Sequence, residues 1–108
     1  MMKKKEFRSK ALQYAYDRYV GDDPELARQY EEEVLNAKIA QQIYDLRQAA
    51  GLTQKQLAER IDTQPSVISR LEDADYDGHS LTMLKRIAEA LDQRLEVRMV
   101  PKEERVPA

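Results

Sequence analysis

Between residues 54 and 72 the chain sets side chains capable of directional hydrogen bonding, Gln54, Lys55, Thr63, Gln64, Ser66, Ser69 and Arg70, among apolar residues at Leu57, Ala58, Ile61, Val67, Ile68 and Leu71. An amide such as that of Gln64 can make two hydrogen bonds to an adenine edge, and hydroxyl and guanidinium groups reach bases or phosphates. The chemistry available here is recognition of a duplex, not bond making. Catalysis has little to work with elsewhere. His79 is the sole histidine, it sits beside Gly78, and the chain has no cysteine, so no nucleophile pair and no His/Cys metal site can be assembled. Its imidazole is expected to face solvent. Asp73, Asp75 and Asp77 alternate as in a calcium loop, but no glutamate follows at EF-hand spacing, so the stretch reads as a turn. No glycine-rich phosphate loop occurs, and neither a metal nor a cofactor is expected.

The elements that must position these groups follow from the apolar spacing. The two apolar clusters are separated at Asp62 and Thr63, which predicts two short amphipathic helices facing each other across a tight turn, a helix-turn-helix. Thr53 and Gln56 have the spacing of a capping box, and Leu52 and Leu57 that of a hydrophobic staple. Thr63 is expected to cap the second helix, with Pro65 in its first turn. Ala58 falls inside the bend, where a larger side chain would hold the helices apart. Such a second helix enters a major groove by its leading end, which makes Gln64 the first candidate for base readout, followed by Ser66, Ser69 and Arg70. Thr63 and Gln54, with Lys55, lie nearer the phosphates. Plainer roles stay open: Thr63 and Ser66 as caps, Arg70 as the partner of a carboxylate.

Arg47, the run Gly51-Leu52-Thr53-Gln54-Lys55-Gln56-Leu57-Ala58 and the run Ser66-Val67-Ile68-Ser69-Arg70-Leu71-Glu72 resemble the Cro/cI type of helix-turn-helix, often called the XRE class, over residues 38–91. The resemblance implies an all-α domain and a partly buried ion pair between Arg47 and Glu72. Asp62 departs from the pattern, since the family usually has glycine in that turn. Aspartate tolerates left-handed backbone better than most residues, so the turn is expected to survive with a small strain.

A chain of 108 residues, 42% of them hydrophobic, suits one compact domain with an appendage: an extension over 1–36, the helix-turn-helix domain over 37–93 and a C-terminal strand and tail over 94–108. The absence of cysteine excludes disulfide stapling, and no apolar run approaches the roughly 20 residues that span a bilayer. A soluble, cytoplasmic protein without a membrane partner is expected. The net charge is −2, and within residues 54–72 Lys55, Arg60 and Arg70 are balanced by Glu59, Asp62 and Glu72, which argues against binding through a broad basic surface.

Residues 1–10 are basic, an arm for phosphates or a solvated tail. Over residues 7–20 one face carries Phe7, Ala11, Tyr14 and Ala15 and another Leu12, Tyr16, Tyr19 and Val20, so this helix is expected to fold onto its own domain or another chain. Asp23 and Pro24 start a second helix that can run to Ala50 and stop at Gly51, with a kink or break near Asn36. Its first part is acidic at Glu31, Glu32 and Glu33, either a solvated face or a surface for a basic partner. Ser80 caps a last helix carrying Leu81, Leu84, Ile87, Ala88 and Leu91. Residues 95–100 alternate in strand fashion, and Leu95, Val97 and Met99 are expected to pair with the same segment of a second subunit in a homodimer.

An acidic N-terminal extension, an XRE motif and a terminal LEVRMVP strand together resemble antitoxins of the HigA type. That resemblance implies a repressor of a palindromic operator that also neutralises a small basic ribonuclease toxin of the RelE-like fold (HigB), encoded in the same operon. Tyr14, Tyr16, Tyr19 and Tyr30 would then anchor the toxin, and Glu31, Glu32 and Glu33 would complement its charge. Two readings stand beside it: a stand-alone regulator of the phage type, and an interaction module without DNA binding, which the balanced charge of the motif favours.

Overall fold

A computed structural model describes residues 23–102. Two compact units divide the chain: residues 31–96 form one, and the described residues 23–30 and 97–102 belong to the other. Four helices occur among the described residues, α1 (Pro24–Ala49), α2 (Gln54–Arg60), α3 (Pro65–Leu71) and α4 (Leu81–Ala90). No strand occurs among them.

Each helix start is written in the residue before it. Asp23 Oδ1 accepts the backbone N–H groups of Glu25 at 2.9 Å and Leu26 at 3.3 Å, and Pro24 follows where a missing N–H costs nothing. Helix α1 then runs without interruption through Asn36. The expected break is absent because residues 25–50 contain neither glycine nor proline, the usual causes of a kink. At α2 the capping box is complete: Thr53 Oγ1 accepts from Gln56 N–H at 3.0 Å, and Gln56 Oε1 accepts from Thr53 N–H at 2.8 Å. Ser80 Oγ accepts from Met83 N–H at 3.1 Å and starts α4. At α3 the expectation for Thr63 is corrected. The N-cap is Gln64, which makes no side-chain cap, because Pro65 occupies the first helical position and fixes the cap one residue later.

Helices α1, α2 and α4 end in one way. Gly51, Asp62 and Asp92 take left-handed φ of 71°, 55° and 58°. In each case the residue's N–H bonds the carbonyl three back (Gln48, Glu59, Glu89), and the next N–H bonds the carbonyl five back (Arg47, Ala58, Ala88). This is the Schellman arrangement, which satisfies carbonyls that a helix end leaves without partners.

Leu57, Ala58 and Ile68 are fully inaccessible, and Ile43, Ile61, Leu71, Ile87 and Leu91 complete a core to which all four helices contribute. Within it α2 packs against α3 and α4. Helices α2 and α3 have only seven residues each, too short to persist in water alone, so their conformation depends on this burial. Side chains add a second tie between α2 and α4. Arg60 Nη1 donates to Ala90 O at 3.1 Å and Arg86 Nη2 donates to Ile61 O, each guanidinium serving the C-terminal carbonyls of the other helix. Leu81, expected in the buried stripe of α4, is instead 64% exposed at the helix start.

The strand expected over residues 95–100 does not form within the chain. An alternating segment makes a ladder only against another strand, and the described residues offer none. Leu95, Val97 and Met99 are all exposed, Met99 almost wholly so.

Candidate nucleic-acid interface

Helix α3 has a buried back and a polar front. Ile68 and Leu71 lie in the core with Val67 beside them, which turns Ser66, Ser69 and Arg70 outward, and Gln64 and Pro65 lead the helix into solvent. Among Gln64, Ser66, Ser69 and Arg70 none is buried and none packs into the core. Thr63 is half-buried and Lys55 is exposed. The leading end presents an amide, a hydroxyl and backbone N–H groups with no side-chain cap over them. Such an end can meet acceptors on bases or phosphates.

The rear of α3 is built differently. Glu72 is its C-cap, and the side chains of Arg47 and Glu72 are 7% and 4% exposed. Arg47 Nε donates to Glu72 Oε2 at 2.6 Å and Nη2 donates to Oε1 at 3.0 Å, a two-point contact that only a planar guanidinium makes. Arg47 Nη1 donates to Leu52 O at 2.7 Å, and the Tyr44 ring lies 5.3 Å from the guanidinium carbon. The hydrogen bonds that Arg47 donates to Glu72, and the charge of that carboxylate, hold the Arg47 pKa above its ordinary value against the opposing effect of burial.

Gln54 joins this centre. Its Nε2 donates to Glu72 Oε1 at 3.2 Å, and because a carboxylate only accepts, the amide nitrogen must be the atom turned inward. One amide hydrogen is thereby committed to Glu72. The start of α2 is thus tied through one carboxylate to the end of α3 and the end of α1. Sequence reasoning missed this link, for which the only signal is a polar amide directly after an N-cap.

His79 also differs from the expectation of a solvent-facing ring. Its Nε2 lies 2.7 Å from Leu71 O, and since a carbonyl only accepts, Nε2 carries the proton. Nδ1 is buried without a hydrogen-bond partner, and the ring meets Tyr76 edge to face at a centroid distance of 5.0 Å. The loop beneath is shaped by Asp73, whose Oδ1 accepts from Asp75 N–H at 2.9 Å. Among the described residues no group of three His, Asp or Glu is arranged to hold a metal ion.

The remaining sequence-derived sites lie apart from α3. Glu31, Glu32 and Glu33 are exposed on α1 and Tyr30 is half-buried, whereas Tyr14, Tyr16 and Tyr19 fall outside the described residues. No helix of the described residues is long and apolar enough to cross a membrane.

The sequence profile of a family described as a helix-turn-helix domain matches residues 20–100. Comparison with curated proteins and with solved structures gives no match.

Proposed function

We propose that this chain, which belongs to the helix-turn-helix domain family and carries its DNA-binding domain, is a transcriptional repressor of the XRE class and the HigA-type antitoxin of a toxin–antitoxin pair. Two copies, joined through Leu95, Val97 and Met99, set their α3 helices about 34 Å apart on a palindromic operator. Gln64, Ser66, Ser69 and Arg70 read base edges, while Thr63, Gln54 and Lys55 meet phosphates. The protein acts by binding, without catalysis. The observation that carries the DNA-binding part is the division of α3 into a buried back, Ile68 and Leu71, and an exposed polar front with an uncapped leading end. Few free cations accompany that front, so specific contacts and duplication by a second subunit supply affinity.

The antitoxin part is supported by the exposed carboxylates of Glu31, Glu32 and Glu33, which suit a small basic ribonuclease. The first test is a gel shift with the protein's own promoter. Gln64→Ala is expected to cost about 1–3 kcal/mol on the specific site and little on random DNA. An equal loss on both would return Gln64 to the backbone-contacting class. The second is co-expression with the product of the adjacent gene and purification on one tag. A stable complex supports the pair, and its absence with operator binding intact leaves a stand-alone regulator.

A further inference from the structure

Helix α1 buries only one of its sides. Ala40, Ile43 and Arg47 are its buried residues. Beside that face runs a second row, Leu35, Ile39, Gln42, Leu46 and Ala49, whose steps of four and three residues are those of a helix–helix seam. Ile39, at the inner edge, packs in part on the core. The rest of the row is open: Leu35 is 58% and Leu46 36% exposed, and Gln42 and Ala49 are exposed as well. Going backward, the next positions of the same pattern are Glu32 and Arg28, so the apolar row is confined to residues 35–49. A single exposed leucine is ordinary on a protein surface. Two on one helical line, in seam register with an alanine and a half-covered isoleucine, form a surface that water serves poorly.

The charges bordering the row indicate what covers it. Lys38 and Asp45 flank it on the side away from the core, and Asp45 Oδ1 accepts from Gln41 Nε2 at 2.8 Å, which holds the carboxylate at that edge. Packed parallel about a two-fold axis, the edge carrying Lys38 and Asp45 would meet the opposite edge of the second copy, that of Asn36, Ile43 and Ala50, where neither charge finds a partner. Packed antiparallel, Lys38 of each copy faces Asp45 of the other, twice by symmetry, and the leucines meet in the same register. We propose that this row docks against the same row of a second copy, the α1 helices antiparallel, with Leu35 opposite Leu46 of the second copy. The contact needs only residues 35–49 and is separate from the terminal pairing proposed above. Its failure would leave operator binding untouched, so the two readings are tested independently.

Because the chain lacks cysteine, single cysteines report the contact without background. The full-length chain is prepared as Leu35→Cys, Leu46→Cys and, as a control on another face of α1, Glu33→Cys. Under mild oxidation a mixture of the Leu35→Cys and Leu46→Cys proteins is expected to form the mixed disulfide dimer. Leu35→Cys alone should not cross-link, since its two copies lie roughly 16 Å apart along the helix axes at 1.5 Å per residue. The mixture of Glu33→Cys with Leu46→Cys gives the collisional background. Introducing Lys38→Glu into both partners should slow the mixed reaction about threefold or more, and adding Asp45→Lys should restore it. Mixed cross-linking at the control rate, efficient self-linking of Leu35→Cys, or indifference to the charge reversal would each overturn the proposal.

Discussion

At its rear end α3 is held by hydrogen bonds from three side chains: Arg47 and Gln54 fix the carboxylate of Glu72, and His79 occupies the carbonyl of Leu71. At its leading end no side chain is bonded over the first turn, Pro65 has no N–H to offer, and Gln64 and Ser66 stand in solvent. The difference separates two tasks within seven residues. The Glu72 carboxylate and the Leu71 carbonyl at the rear are engaged by these side chains, so they set where the helix sits. Groups at the front keep their hydrogen-bonding capacity, so they remain available to an incoming duplex.

Substitutions at the two ends should therefore separate folding from binding. The largest effect is expected at the rear. Glu72→Ala leaves the Arg47 cation buried without its partner and should lower stability by about 3–5 kcal/mol in urea unfolding, whereas replacing both residues by apolar ones of similar volume should recover most of that loss. Near-equal stabilities of the single and double variants would mean that the pair is not the clamp. Next, His79→Phe keeps the ring but removes the donor to Leu71 O, and a loss of about 1–2 kcal/mol is expected. A smaller effect, of opposite sign, belongs to the turn between α2 and α3. Asp62→Gly relieves a left-handed backbone at φ 55° and should stabilise by about 0.5–1 kcal/mol, seen as a raised urea midpoint with an unchanged slope. The smallest is at the front: Gln64→Ala should change stability by no more than about 0.5 kcal/mol while weakening specific DNA binding. A large stability loss there would collapse the distinction between the ends.

What the sequence made legible divides along the same line. Local devices could be read residue by residue: the capping box at Thr53 and Gln56, the stop at Gly51, the start at Asp23, and the tolerance of Asp62 for its turn. The cap of α3 is open to the same reading, because a proline at the first helical position assigns the cap to Gln64 and not to Thr63. Contacts between residues far apart in sequence were not legible in this way. The pairing of Arg47 with Glu72 came from a family resemblance, not from spacing. The link from Gln54, the exchanged arginines at positions 60 and 86, and the seat of His79 depend on how helices cross, which no periodicity specifies. The segment over residues 95–100 shows a further limit. Alternation records a capacity to pair, but the described residues contain no partner strand.

The seat of His79 also gives the molecule a built-in spectroscopic label. With one imidazole in the chain, a nitrogen-edited spectrum contains a single pair of ring nitrogens, one facing Leu71 O and one enclosed without a hydrogen-bond partner. Any event that tugs on the C-terminal turn of α3, including docking of its far end into a groove, registers as a shift in those two resonances, and seating of the helix can be followed without attaching a probe.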